Sequence, residues 1–461
     1  MRSLQKIRML IAASAIMLVG CTNEMIDPSN EEKAQPIETY RVSVDEAADQ
    51  LKCFLNAIEQ NEVKTYAKNT SKSEEPKKIK NVKVVKTNNK GVKDYAKSIG
   101  LDEMNLDTLL YVINFEDNAG FSLLGADKRS GGIYALVDSG YFDAENPEMS
   151  DNPGFIIFME NAFRKILLDM KKHQDNLSYA SMAPDPPGSD GGGGGGGSGG
   201  TLIQTTTATV APKLKVKWGQ GLPYNHFCPD KGSGLCPTGC AVTAVAQILS
   251  YFPTIGSVSW SDNYGSSLGT KYLNWSRIIS DSESNIPYGV LTLFNTASID
   301  EVAHLMRYLG VAMGADYQTN STSVDKGNEV NWMRNWGGLS ATSFSGYNDN
   351  NIINGLNADK LICIGGFRGY DNWILWKDYW GGHLWVIDGY RKTTSVYTDQ
   401  TIVSTYVHCN FGWNGSADGY YNSGVFDTSK GPQSKDAGKD QNQTLGTDYY
   451  RYNLEISVVG H

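Results

Sequence analysis

Cys240, His383 and Asn410 are the residues of this chain best placed, by type and spacing, to do chemistry together. Cys240 stands at the mouth of an apolar run of small residues: Ala241, Val242, Ala244, Val245, Ile248, Leu249 and Tyr251 are too apolar for an exposed helix. Pro237 and Thr238 read as the helix start, with Thr238 as the N-cap. A buried helix aiming its dipole and unpaired N–H groups at the sulfur would favour the thiolate. A thiolate needs a proton carrier, and the chain has 6 histidines. His383 follows Gly381-Gly382 and opens Leu384-Trp385-Val386-Ile387-Asp388-Gly389, a run that reads as a buried strand and turn. Further on, His408-Cys409-Asn410-Phe411-Gly412-Trp413 supplies an amide to orient the imidazole, Asn410, and an indole to shield it, Trp413. Each residue alone has a plainer reading: Cys240 as a buried thiol, His383 as a core histidine, Asn410 as a turn residue and Trp413 as packing. His408 is the competing base, in an alternating strand pattern beside Asn410.

Cys, His and Asn follow one another in this order in papain-like proteases. Several segments carry a closer likeness: Trp218-Gly219-Gln220-Gly221-Leu222-Pro223-Tyr224-Asn225, Cys228-Pro229, Thr238-Gly239-Cys240 with Gln247, Gly382-His383 with Val386 to Tyr390, and Asn410-Phe411-Gly412-Trp413. In these motifs the chain resembles the streptopain family of secreted bacterial cysteine proteases, over roughly residues 205–461. The resemblance implies a papain-like catalytic domain with Cys240 as nucleophile, His383 as general base and Gln220 as an oxyanion-hole donor. Asn410 to Trp413 fall on the segment that the family keeps near its active site, with Phe411 where tryptophan is commoner. Protein or peptide substrates are implied, with no metal and no cofactor. Thr108 to Phe115 and Gly120 to Arg129 resemble the family's inhibitory propeptide, which would cover the cleft until it is cut away.

Those site residues must be held by two globular parts, since 461 residues with 40% hydrophobic content can bury more than one core. The fold class expected is α+β, a papain-like catalytic domain preceded by a smaller α+β propeptide domain. Upstream, Ser43-Val44-Asp45-Glu46 is a capping box, and Ala47, Leu51, Phe54, Leu55 and Ile58 recur at helical spacing. Strand-like runs follow over 109–115, 120–124 and 132–137, and a helix over 154–170. Ala183-Pro184-Asp185-Pro186-Pro187 then runs into a glycine tract that cannot bury apolar surface. The expected divisions are 1–20, 21–35, 36–182, 183–204 and 205–461: signal peptide, tether, propeptide domain, linker and catalytic domain. An exposed linker invites proteolysis, so the mature chain is expected to begin between Gly200 and Leu214.

The N-terminus points to export. Arg2, Lys6 and Arg8 precede an apolar stretch, Met9 to Val19, that suits a signal-peptide core and is too short to span a bilayer. It ends in Leu18-Val19-Gly20-Cys21, a lipobox-like sequence that would make Cys21 a lipid-bearing N-terminus and the membrane a partner. An ordinary secretory signal is the alternative. The six other cysteines are too sparse for a disulfide scaffold, although Cys228 and Cys236 would close a small loop. A zinc site on Cys228, Cys236 and Cys240 has no supporting spacing and would consume the nucleophile. A net charge of −9 argues against nucleic acid as a partner, and the lysines between Lys77 and Lys97 read as a solvated face or loop. Two other readings stay open: a non-catalytic surface lipoprotein that binds polypeptides, and a Cys-His amidase acting on cell-wall peptides.

Overall fold

The computed structural model describes residues 40–66, 77–85, 90–101, 106–130, 132–146, 151–182, 202–262, 265–284, 290–292, 295–368, 382–397, 401–427 and 452–461. The proposed signal peptide, Cys21, the tether and residues 183–201 of the linker lie outside them.

The capping box closes as written in the sequence. The Ser43 N–H donates to the Glu46 carboxylate at 3.0 Å and the Glu46 N–H to Ser43 Oγ at 3.1 Å, satisfying two donors that a helix start leaves open. Helix α1 (Val44–Tyr66) follows, with Ala47 and Leu51, one turn apart, fully buried. Then come β1 (Ile79–Val84), α2 (Lys90–Ser98), β2 (Leu110–Phe115), β3 (Phe121–Gly125), β4 (Ile133–Val137) and α3 (Pro153–Met182). β1 to β4 form an antiparallel meander. Alternation sorts its side chains: Tyr111, Ile113 and Phe115 join the cluster that holds Ala47 and Leu51, while Leu110 and Val112 face α2 and α3. The lysine-rich stretch expected as a solvated face or loop is a strand and a helix that turn most of those lysines to solvent, with Lys78, Lys80, Lys90, Lys93 and Lys97 exposed. Lysines at its margins hid them, yet Lys77 Nζ donates to the carbonyls of Ala119 and Asp138 at 2.5 and 3.1 Å.

The catalytic part opens with β5 (Leu202–Val210) and α4 (Cys240–Tyr251). A helical layer with two small hairpins comes next: β6 (Ser257–Ser261), β7 (Ser267–Tyr272), α5 (Trp275–Ser284), α6 (Thr296–Ala312), β8 (Asp316–Gln318), β9 (Ser321–Ser323) and α7 (Asn328–Asn335). The sheet layer holds β10 (Ser340–Ala341), β11 (Ser345–Gly346), α8 (Asp349–Asn357), β12 (Leu361–Arg368), β13 (His383–Tyr397), β14 (Thr401–Asn410), β15 (Gly419–Asn422) and β16 (Tyr452–Gly460). Period-two alternation gives this sheet two buried faces. Leu361, Cys363, Leu384, Val386 and Val459 meet α4, and Ile362, Ile364, Trp385, Ile387 and Ile456 meet α3 and α8.

Upstream and catalytic strands form a single sheet, in the order β1-β2-β3-β4-β15-β14-β13-β12-β16-β10, with β5 added along the far half of β13. The seam is β4 against β15, Val137 opposite Gly419 and Leu136 opposite Tyr420. Only glycine fits there, because a Cβ at 419 would lie 2.4 Å from the Leu136 carbonyl oxygen. The seam continues in the core: Phe158 of α3 stacks edge-on against Tyr421 and Phe426 at 4.6 and 5.6 Å between ring centres. Residues 40–182 and the catalytic part therefore share one apolar cluster, where the sequence suggested two cores, and Tyr40–His461 makes one compact unit.

A shared core predicts shared unfolding. Phe158→Ala should destabilise the intact chain by about 3–5 kcal/mol. Tryptophan fluorescence, with every tryptophan of the chain at or beyond position 218, and far-ultraviolet dichroism should report one coincident transition. Loss of upstream structure alone, with an unchanged fluorescence midpoint, would contradict the shared core.

Candidate active site

Cys240 is the first residue of α4, whose next ten residues are all buried. The N-cap is Gly239 and not Thr238, and two constraints require glycine there. Its φ is +94°, and a Cβ would lie 2.9 Å from the Thr322 carbonyl oxygen. Thr238 turns inward, its hydroxyl 2.9 Å from that of Thr243, and Thr243 Oγ1 donates to the Gly239 carbonyl. Helix α4 packs on β13, so the N–H of Leu384, the residue after His383, faces the Cys240 sulfur together with that of Ala241. Burial nonetheless pushes the Cys240 thiol up, with Glu329 adding to the rise, and these N–H groups offset it only in part. In the uncut chain the residue is a thiol, where the helix N-terminus alone suggested a thiolate.

His383 opens β13 and lies on the same face as Trp385, with which it stacks at 5.9 Å and 19°; Trp413 meets the ring edge-on at 6.2 Å. Its Nε2 is 2.9 Å from the Phe411 carbonyl oxygen. A carbonyl only accepts, so Nε2 carries the proton and Nδ1 keeps its lone pair. That Nδ1 is buried without a hydrogen-bond partner, and no hydrogen bond joins the ring to Cys240 among the described residues. Burial brings the imidazole down to about 4, against the Phe411 contact. Thiol and imidazole are both neutral here.

Asn410 does not orient the imidazole as expected. Its Nδ2 donates to the Val216 carbonyl at 2.8 Å and its Oδ1 accepts from Gly412 N–H, so it braces the end of β14 against the strand-like lead into Trp218. The orienting group is a main-chain carbonyl of the next residue, which no side-chain motif could announce. The Trp413 indole N–H donates to Asp151 just upstream of α3 at 3.1 Å. Gln220 is tied to the loop that leads into Cys240, its carbonyl accepting from Thr238 N–H at 2.9 Å, and its half-buried side chain has no hydrogen-bond partner among the described residues. Neighbouring Gly219 lies against Asn414, whose N–H donates to the Trp218 carbonyl. Segments 218–220, 238–240, 383–385 and 410–414 thus meet at the N-terminus of α4.

Residues 218–421 match the Peptidase C10 family. The chain is accordingly a cysteine peptidase. Streptopain of Streptococcus pyogenes is 23% identical over 367 residues, 71% of this chain and 78% of its own length. The thiol protease/hemagglutinin PrtT of Porphyromonas gingivalis is 26% identical over 197 residues, 40% of this chain and 20% of that protein. Among solved structures, a fragment of Prevotella intermedia prointerpain A aligns with a TM-score of 0.45 at 19% identity, covering 77% of this chain and 96% of its own. Active interpain A aligns at 0.35 and 24%, covering 54% and 94%.

His408, the competing base, is spoken for. His408 Nδ1 lies 2.6 Å from Asp388 and Nε2 3.0 Å from Asp138, the residue after β4. Burial alone would lower it, but the two carboxylates outweigh burial and hold it at about 10, a fixed cation at the seam. No lone pair is left for a thiol. Because the folded value lies above the free-histidine value near 6.5, the stability this gives is whole below about pH 6.5 and drains away as pH rises through 10. Urea midpoints of the intact chain should therefore fall between pH 7 and 10 more steeply than those of His408→Gln. Parallel curves would show that the imidazolium adds no linkage.

Proposed function

We propose that this chain is the zymogen of an exported cysteine endopeptidase, with Cys240 as nucleophile and His383 as general base. The observation that carries the reading is the protonation pattern of His383. With Nε2–H donated to Phe411, the free Nδ1 is the nitrogen left to take a thiol proton, and Cys240, which opens a buried helix, has its sulfur facing the N–H of Leu384, the next residue along β13. Cys240 Sγ would give its proton to Nδ1 and attack the peptide carbonyl. The Cys240 N–H and the Gln220 amide would hold the oxyanion, each such donor contributing about 2.7–4 kcal/mol. The imidazolium would then protonate the leaving amine, and water would hydrolyse the acyl-enzyme.

Latency follows from the neutral pair in the uncut chain and from the grip of Asp138, Asn152 and Gly154 on the loop after β14. Asn152 Nδ2 donates to the Ser416 carbonyl, and Gly154 lies directly against the Phe411 ring. Export and lipid attachment at Cys21 are supported by the basic start, the short apolar run and the Leu-Val-Gly-Cys ending. Among the described residues no helix is long and apolar enough to cross a membrane. Protein or peptide substrates, with the upstream part as inhibitor, complete the reading.

The cut is narrower than the linker composition suggested. β5 is hydrogen-bonded along β13 from Leu202 onward, and proteases bind unpaired extended chain, so cleavage should precede Leu202. N-terminal sequencing of matured protein should give a start at or before that residue, and a start within 203–210 would contradict it. Cys240→Ala precursor should fold, stay uncut alone, and be cut by added active enzyme. His383→Ala should lose about 10²–10⁴-fold in kcat. An epoxide inhibitor of cysteine proteases should modify Cys240 in matured protein, and peptide mapping checks the site. Turnover by matured Cys240→Ala chain would overturn the assignment.

A further inference from the structure

The segment that leads into Gln220 is held by a succession of ties. The Val216 carbonyl accepts from Asn410 Nδ2 at 2.8 Å, the Trp218 carbonyl from Asn414 N–H at 3.2 Å, and the Gln220 carbonyl from Thr238 N–H at 2.9 Å. The Trp218 N–H donates to Gln247 Oε1 at 3.2 Å. Of these partners, only Gln247 belongs to α4, the helix that Cys240 opens, and it stands about two turns beyond the sulfur on the same face.

Gln247 is fully buried, and its Nε2 has no hydrogen-bond partner among the described residues. Its helix neighbours Val245, Ala246, Ile248 and Leu249 are apolar. An apolar side chain of similar length would fill this place without stranding a donor, so packing alone does not account for the amide. What the amide supplies is an acceptor at one point, the Trp218 N–H. It also borders the loop that carries Phe411: a Cβ at Gly412 would lie 3.7 Å from Nε2 and 3.0 Å from the Thr243 methyl, one turn back along α4.

We propose that Gln247 is a positioning residue for catalysis, which fixes the Gln220 amide relative to the Cys240 sulfur by tying Trp218 to the helix behind the nucleophile. The hydrogen bonds close a ring. It runs from Cys240 along α4 to Gln247, across to Trp218, through Gly219 to Gln220, and back through Thr238 and Gly239 to Cys240. Both glycines of the ring are crowded from outside, Gly239 by the Thr322 carbonyl and Gly219 by the Asn414 side chain, so neither gives it slack. Without the Gln247 tie, the segment keeps its other anchors and loses the one that refers it to the helix. A donor misplaced by about 1 Å costs up to about 10²-fold in rate. The inference rests on Cys240 being the nucleophile and Gln220 the oxyanion donor.

Gln247→Met removes the acceptor at nearly unchanged length, and Gln247→Leu is its second form. Each is matured by a trace of tagged parent enzyme that is then withdrawn. Their kcat should fall about 10- to 10²-fold, with KM within about twofold of the parent's. Alkylation of Cys240 by iodoacetamide, located by peptide mapping, should stay within about twofold of the parent's rate, because displacement at a saturated carbon builds no oxyanion. Damage to the helix, or to the thiol and imidazole, would slow both reactions. In a Gln220→Ala background the Met change should cost less than about a further twofold, since the donor it would misplace is already gone. Parent kcat in both Gln247 variants, alkylation slowed as much as hydrolysis, or additive losses in the double variant would overturn the proposal. Gln220→Ala alone separates the two readings. If it keeps the parent's kcat, Gln220 is not the donor; if it is slow while both Gln247 variants keep the parent's kcat, only Gln247 is misassigned.

Discussion

The hydrogen bond from His383 Nε2 to the Phe411 carbonyl decides which nitrogen of the proposed base is left for a thiol, and most of the surrounding structure serves to hold that carbonyl in place. Asn410 pins the strand end to Val216, and Asn414 N–H locks onto Trp218. Trp385 and Trp413 confine the ring from its face and its edge. A main-chain acceptor is well suited to this duty. It cannot rotate away as a side-chain amide can, and it always accepts, so the tautomer is not left to chance.

The same surroundings keep the pair uncharged before cleavage. Dry packing raises the thiol and lowers the imidazole, and both shifts disfavour proton transfer from sulfur to nitrogen. The helix N-terminus and the Leu384 N–H act in the opposite sense but are outweighed. Whatever admits water or a substrate's polar groups to this place reduces the burial that dominates both shifts.

Much of this was legible in the sequence wherever chemistry and periodicity coincided. The reciprocal cap at Ser43 and Glu46, the buried helix behind Cys240 and the strand that opens at His383 follow from patterns of residue type. Asn410 illustrates the limit: an amide in the expected order is the obvious partner for an imidazole, but its backbone neighbour supplies the bond, and main-chain atoms leave no mark in composition. Thr238 shows another, since a residue with good capping chemistry lost the position to a glycine that a close approach to Thr322 requires. β1 escaped notice because its lysines, Lys80 exposed and Lys83 half-buried, carry strand geometry without strand composition.

The seam between β4 and β15 has a consequence for what a matured enzyme must do with itself. Cutting the covalent link leaves a ladder, a bridging imidazolium and a set of interlocked rings still joining the two pieces. If the earlier piece departs, β15 turns from an interior strand into a rim, with bare amide and carbonyl groups flanked by Tyr421, Phe411 and Phe426. Such a rim is adhesive toward any extended chain. Maturation in this architecture therefore exchanges an internal surface for an external one, and the liberated protease carries a strip that must be solvated, capped or occupied before it is stable in its own company.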